Sequence, residues 1–301
     1  MDSVSLLRAL APTAERLLDR HLAVAKEWFP HELVPWDRAR SFAPGESWSA
    51  EEAPPDPGVH SSLVVNVLTE DNLPHYLSEI DRMMGRDGVW GVWARRWTAE
   101  EGRHSIVLRD YLTVTRQVDP VALERARMAQ VGTGQVPHPP SPADGFVYLA
   151  LQELATRLAH HNTGKAIQDP AGYQVMKRVA ADENLHYLFY RDLVSAALEV
   201  DPSAVVAAME RQVRHFEMPG TGIPGFLAHA RAIARSGIYD FSVHHDRVLV
   251  PVVLQHWGLD ALQGLSAEAE RARERLTGFL DRMGKAARRL SARREEQLAM
   301  A

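Results

Sequence analysis

The sequence predicts an all-α protein built round a four-helix bundle, and three observations carry that expectation. Two Glu-x-x-His motifs, Glu101/His104 and Glu183/His186, each follow a lone glutamate, Glu70 and Glu153, by a nearly constant spacing of roughly thirty residues. Apolar residues recur at helical spacing over most of the chain, and no stretch alternates with period two long enough to make a strand. Positions i and i+3 share one face of a helix, so each motif offers a carboxylate and an imidazole to the same point in space. A spacing of about thirty residues is one long helix and a turn, which lets four antiparallel helices aim all six side chains at one centre. One glutamate from each of two helices, with Glu-x-x-His from each of the other two, is the ligand set of di-iron and di-manganese carboxylate bundles.

The elements follow in order. Leu6, Leu7, Leu10, Leu17, Leu18 and Leu22 recur at helical spacing, and the amphipathic helix they imply is expected to end near Trp28, before Pro30. Residues 30–58 hold six prolines, from Pro30 to Pro57, with Gly45 and Gly58, which predicts an irregular surface segment. From there to about residue 130 the pattern is helical, with breaks at Pro74 and at Gly85 to Gly91. A loop rich in Gly and Pro, Gly132 to Asp144, separates the two ligand halves. Two long helices are expected over about 145–167 and 171–199, parted by Asp169-Pro170. Short helices broken at Pro202, Pro219, Pro224 and Pro251 come next, and a charged helix over about 266–297 closes the chain. The whole of 1–301 reads as a single domain with peripheral helices, its ligand-bearing core at about 58–199, and no solenoid repeat.

At 301 residues the chain can bury a substantial core. A composition 46% hydrophobic and 24% charged is that of a globular protein, and a net charge of −5 argues against nucleic-acid binding through phosphate contacts. Zero cysteines exclude disulfides, thiolate metal sites and a cysteine nucleophile, and fit a reducing cytoplasm. Met1 to Trp28 carries Asp2, Glu15, Asp19 and Glu27 among its apolar residues, unlike a signal peptide, and no apolar run approaches the ~20 residues a bilayer requires.

Each candidate ligand has a duller explanation. Thr98-x-x-Glu101 fits a capping box, but the apolar register of residues 89–97 carries a helix through that point and leaves Glu101 mid-helix. Glu70/His75 and Asp240/His244 pair acid with histidine at spacings that do not complete a set, so His75, His244 and His245 read as surface or capping groups. His160, His161 and Asn162 read as a helix C-terminus turning at Gly164. The six-residue set is different in kind. Four carboxylates carry a charge that matches two ferrous ions, hard oxygens suit the ferric state, and buried without metal they would cost several kcal/mol each. Asp182, next to Glu183, and Trp97, one turn before Glu101, are placed to hold a ligand imidazole and to donate from an indole. The C-terminal cations Arg271, Arg273, Arg275, Arg282, Lys285, Arg288 and Arg289 are interspersed with glutamates and read as a solvated face.

Four segments bear a resemblance: Leu68-Thr-Glu-Asp-Asn-Leu-Pro-His-Tyr76, Trp97-Thr-Ala-Glu-Glu-Gly-Arg-His104, Gln152-Glu-Leu-Ala-Thr156 and Ala181-Asp-Glu-Asn-Leu-His186. Together they resemble the signature segments of the soluble acyl-acyl-carrier-protein desaturases, of actinobacterial type, over about residues 6–280. The resemblance implies a homodimeric, ferritin-like helical fold. It also implies a di-iron centre that uses dioxygen to remove two hydrogens from a saturated acyl chain on a carrier protein. On it, Glu101 and Glu183 would bridge two Fe ions, with Glu70 and His104, and Glu153 and His186, as terminal ligands. Thr156 would stand on the oxygen side and help deliver protons. Trp97, His104, Asp182 and Trp28 would lie on a path for electrons from a ferredoxin-type donor, although Trp28 reads equally as core. Leu73, Met84, Val107, Tyr111, Leu149 and Phe189 are candidates for the acyl tunnel, although most of them read equally as plain core.

Two other functions use the same residues. A hydroxylase acting on a carrier-bound chain diverges only after the first hydrogen is removed. An iron-storage bundle would need neither the segment at 30–58 nor the hundred or so residues after His186.

Overall fold

A computed structural model describes residues 1–299. Among them there are helices and loops and no strand, as the periodicity predicts. The elements are α1 (Ser3–Val24), α2 (Pro30–Leu33), α3 (Pro57–Glu70), α4 (Leu73–Met84), α5 (Gly88–Val114), α6 (Pro120–Thr133), α7 (Pro142–Ala166), α8 (Pro170–Val200), α9 (Pro202–Arg214), α10 (Phe226–Arg235), α11 (Phe241–His244) and α12 (Ala267–Ala299). The ligand-bearing helices α3, α5, α7 and α8 form the central bundle, with α1 laid across α8 and α5. Among the described residues no helix is long and apolar enough to cross a membrane.

A short device repeated along the chain sets where the helices start. Asp56-Pro57, Asp119-Pro120, Ser141-Pro142, Asp169-Pro170 and Asp201-Pro202 each place a side-chain oxygen on a free backbone N–H of the first turn. The proline that follows has φ already set for a helix and no N–H to leave unbonded. Pro57 and Pro142 therefore open helices inside segments that read as loop, Pro202 opens one where the sequence predicts a break, and Pro170 parts two long helices as expected. Gly85, at φ 82°, ends α4. Gly91 breaks nothing: it lies inside α5, where a Cβ would stand 1.8 Å from the Arg86 carbonyl oxygen.

Three other expectations need correction. Helix α1 stops at Val24 rather than Trp28, because Ala25 turns to extended backbone at ψ 125° and leaves Trp28 free to fold inward. Pro251 does not break its helix. It lies within a π-helical stretch, His245–His256, whose wide turns accommodate a residue without an N–H. His244 and His245 are buried, not surface groups: the Tyr239 hydroxyl is 2.8 Å from His244 Nδ1, Phe216 stacks on its ring, and burial, then His245, pushes the pKa of His244 down to about 4.

Among the described residues the buried apolar side chains form two clusters, one round Trp93, Phe146 and Leu193 and the other round Leu63, Leu108 and Val179. Along α5 the change from one to the other falls between Trp97 and Val107, and along α8 between Val179 and Phe189. Those are the turns that carry the two Glu-x-x-His motifs, so the polar site occupies the seam. The first cluster is tight: Trp93 is fully buried, stacks on Phe189 with ring centroids 3.6 Å apart and donates to the Tyr190 hydroxyl at 2.9 Å. Trp93→Ala is expected to cost about 3–5 kcal/mol of stability, measured by denaturant unfolding.

Candidate metal centre

Thr98 caps no helix, since its hydroxyl bonds back to the Ala94 carbonyl and Glu101 sits in the middle of α5. The i, i+3 geometry then aims Glu101 and His104 inward from α5, and Glu183 and His186 inward from α8. Glu70, the last residue of α3, and Glu153, midway along α7, complete the set. All six are buried. Among the described residues, the six form two groups of ligand atoms: Glu70, Glu101, His104 and Glu183 in one, Glu101, Glu153, Glu183 and His186 in the other, with the atoms of each within 4.8 Å of one another. Glu101 and Glu183 belong to both. His104 Nδ1 lies 3.1 Å from Glu101, 3.3 Å from Glu183 and 3.7 Å from Glu70, while His186 Nδ1 lies 2.9 Å from Glu101 and 3.6 Å from Glu153.

The surrounding groups hold these side chains in place. Asp182 Oδ2 accepts from the Trp28 indole at 2.7 Å and faces His104 Nε2 at 3.5 Å, so Trp28, Asp182 and His104 form one chain. The Trp28 ring lies nearly parallel to His104, and the Arg103 guanidinium sits 4.8 Å from its centroid. Trp97 stands apart from that chain: its indole donates to Glu153 Oε1 at 3.0 Å, on the His186 side. Thr156 donates to Glu183 Oε2 at 2.7 Å.

Charge is unevenly shared. Burial, with Glu183 nearby, pushes the Glu153 carboxyl well above its ordinary value, and burial, with Glu101, raises Glu70. For Glu101 burial acts the same way but is outweighed by His104 and His186, which hold it well below. Glu183 is lowered too, burial and Glu101 being outweighed by His104. Burial lowers both imidazoles, but the facing carboxylates outweigh it, Glu101 first for His104 and Glu100 first for His186, and both titrate well above an exposed histidine.

A family model described as fatty acid desaturase matches residues 2–301. The putative acyl-[acyl-carrier-protein] desaturase DesA1 of Mycobacterium tuberculosis is 39% identical over 308 residues, covering 99% of this chain and 91% of the relative. The chain belongs to the acyl-acyl-carrier-protein desaturase family. The chloroplastic stearoyl-[acyl-carrier-protein] 9-desaturase of Gossypium hirsutum is 30% identical over 98% of this desaturase and 78% of its own length. The X-ray structure of the putative acyl-ACP desaturase DesA2 from M. tuberculosis superposes with a TM-score of 0.72 at 26% identity, over 89% of this chain and 99% of that one. The helical bundle is thus of the ferritin-like type that the resemblance implies.

The donor set of this desaturase fits a pair of metal ions. Among the described residues, Glu101 Oε1, Glu153 Oε2 and His186 Nδ1 are buried with no hydrogen-bond partner, although they face one another. Buried polar atoms are ordinarily satisfied, and a cation is the partner that a carboxylate oxygen and a bare imidazole nitrogen can share.

Several residues near the site escape the sequence reading. His160 does not end a helix, because α7 continues to Ala166. It is buried, accepts from the Asn66 amide at Nδ1, and faces Glu70 Oε1 with Nε2 at 3.4 Å. Its place two turns after Glu153, on the same face of α7, is the signal that could have found it. Glu100 precedes Glu101 as Asp182 precedes Glu183, and it contacts His186 Nε2 at 3.0 Å. His21, 2.9 Å from Glu100, has no local signal at all. The tunnel candidates fare differently. A cavity of about 60 Å³ is lined by Glu70, Glu101 and Glu183 together with Thr156, Tyr76, Met83 and Tyr148, and of the six candidates only Leu149 lines it. Val107 and Tyr111 pack in the second core cluster, while Met84 and Phe189 pack in the first. Leu73 is partly buried against the first.

Proposed function

We propose that this chain is a di-iron desaturase that introduces a cis double bond into a saturated acyl chain carried on acyl carrier protein. The observation that carries the reading is the sharing of Glu101 and Glu183 between two four-residue ligand groups beside an apolar cavity. Glu101 and Glu183 would bridge two irons, Glu70 and His104 would complete one coordination shell, and Glu153 and His186 the other. The chemistry such a pair supplies when bound is reduction of dioxygen to two waters, with two electrons from a ferredoxin-type donor, two protons, and two hydrogens from neighbouring carbons of the chain.

The remaining roles belong to the protein. Asp182 and Glu100 hold the Nε2 side of His104 and His186, leaving each Nδ1 to face the centre. Trp97 restrains Glu153, and Thr156 keeps a hydroxyl hydrogen on Glu183 Oε2, at the cavity wall, where it can pass a proton. Trp28, Asp182 and His104 offer a continuous bonded route for electrons. The cavity excludes water and orients the chain, since geometry alone decides which unactivated methylene reacts. Gly145 faces Met83 across it so closely that a Cβ would stand 1.8 Å from the Met83 sulfur. A homodimer in the cytoplasm belongs to the same proposal.

Single turnover on a palmitoyl or stearoyl carrier-protein thioester, after iron loading, tests the reading. A product about 2 Da lighter, from loss of two hydrogens, is expected; a gain of one oxygen would assign hydroxylation instead. Glu183→Ala is expected to lose iron loading, and full iron occupancy in that variant would contradict its bridging role.

A further inference from the structure

The two halves of the site mirror each other across α5 and α8. Asp182, on α8, faces Nε2 of His104, on α5; Glu100, on α5, is hydrogen-bonded to Nε2 of His186, on α8. Each acid immediately precedes a shared glutamate, and each is paired with an arginine four residues earlier on its own helix, Arg178 with Asp182 and Arg96 with Glu100. The symmetry ends at the third residue. Behind Asp182 stands the indole of Trp28, whereas behind Glu100 stands the imidazole of His21, contributed by α1.

His21 is 4% exposed, and its Nε2 lies 2.9 Å from the same Glu100 oxygen that bonds His186. Its Nδ1 is buried with no partner among the described residues, and because a carboxylate oxygen only accepts, Nε2 is the nitrogen that donates to Glu100. The ring also stacks on His186 at 5.9 Å between centroids and meets the edge of Trp93 at 5.1 Å. Glu100 thus has both imidazoles on one oxygen and Arg96 on the other, at 2.5 Å, which leaves it one orientation.

We propose that His21 is a positioning residue for one metal ion of the pair: through Glu100 it fixes the ring of His186 so that Nδ1 faces Glu101 and Glu153. Helix α1 is then part of the metal site, not merely a cover over α8. The two ions are made inequivalent, since an indole backs one half and an imidazole the other. Partners that hold a ligand histidine alter metal affinity by about 10–100-fold when removed.

The inference rests on the di-iron reading, and one titration separates their failures. Full-length protein stripped of metal is titrated anaerobically with Fe(II), and the loaded protein is read by Mössbauer spectroscopy. If the native chain binds no iron, the reading of the site fails. If it binds two equivalents, His21→Phe is expected to weaken one by about 10–100-fold and leave the other unchanged, shifting one of two quadrupole doublets. His21→Gln, whose amide N–H can still reach Glu100, is expected to restore it. His21→Asn, too short to reach, repeats the Phe result should the larger ring prevent folding. Leu18→Ala, on the same helix, serves as the control: it lowers the melting temperature and keeps both equivalents. Equal weakening of both ions, or no change in either, would overturn the role of His21.

Discussion

Glu153→Gln is expected to make the metal-free protein more stable at neutral pH and the iron-loaded protein inactive. Burial and Glu183 raise the Glu153 carboxyl well above its ordinary value. A carboxyl whose folded pKa is raised favours folding least where the unfolded chain would ionise, so at neutral pH it opposes folding, and that opposition disappears as pH falls below the ordinary carboxylate range. The amide has the same shape, carries no charge and still presents an oxygen to the Trp97 indole. It is a poor ligand, however, and iron is expected to fall from two per chain toward one, with desaturation lost. Melting curves with and without Fe(II) check both halves. Iron should raise the native melting temperature strongly and that of the variant weakly, since a ligand stabilises only the state that binds it. A variant that melts lower than native without metal would show that Glu153 is a structural acid.

Iron uptake is expected to release protons and to strengthen with pH. Glu70, Glu153, His104 and His186 all titrate above their ordinary values in the metal-free fold, for the reasons of burial and facing carboxylates already described. Each must be bare to coordinate, so the protons they hold leave as metal enters. Glu101 and Glu183 are held below the usual carboxylate range and contribute none. The apparent affinity should therefore rise about tenfold per pH unit for each proton displaced. Titration in a weakly buffered, indicator-containing solution counts those protons directly, and an affinity flat between pH 6 and 8 would refute the linkage.

The spacing of the four glutamates and two histidines made the central bundle legible because a helix converts sequence spacing into shared direction. The long helices and the Gly- and Pro-rich loop between the ligand halves were legible for the same local reasons. Prolines misled. Pro57 and Pro142 lie in stretches that read as loop and Pro202 reads as a break, yet each opens a helix behind an Asp or Ser cap, a distinction that depends on one preceding residue. His160 misled in another way: it resembles a helix terminus by composition, and only the continuation of α7 to Ala166 turns it toward Glu70.

By itself the sequence determined the helical class and the six side chains that meet, and its signature segments bore the family resemblance; all of these are carried by local periodicity and short motifs. Only the tertiary structure decided that Trp28 reaches Asp182, that Trp97 turns instead to Glu153, that His21 comes from the far end of the chain to hold Glu100, and which wall residues line the cavity. The reason is physical: a helix dictates which residues share a face, but which face meets which neighbour is settled by how two apolar clusters pack round a buried charged seam.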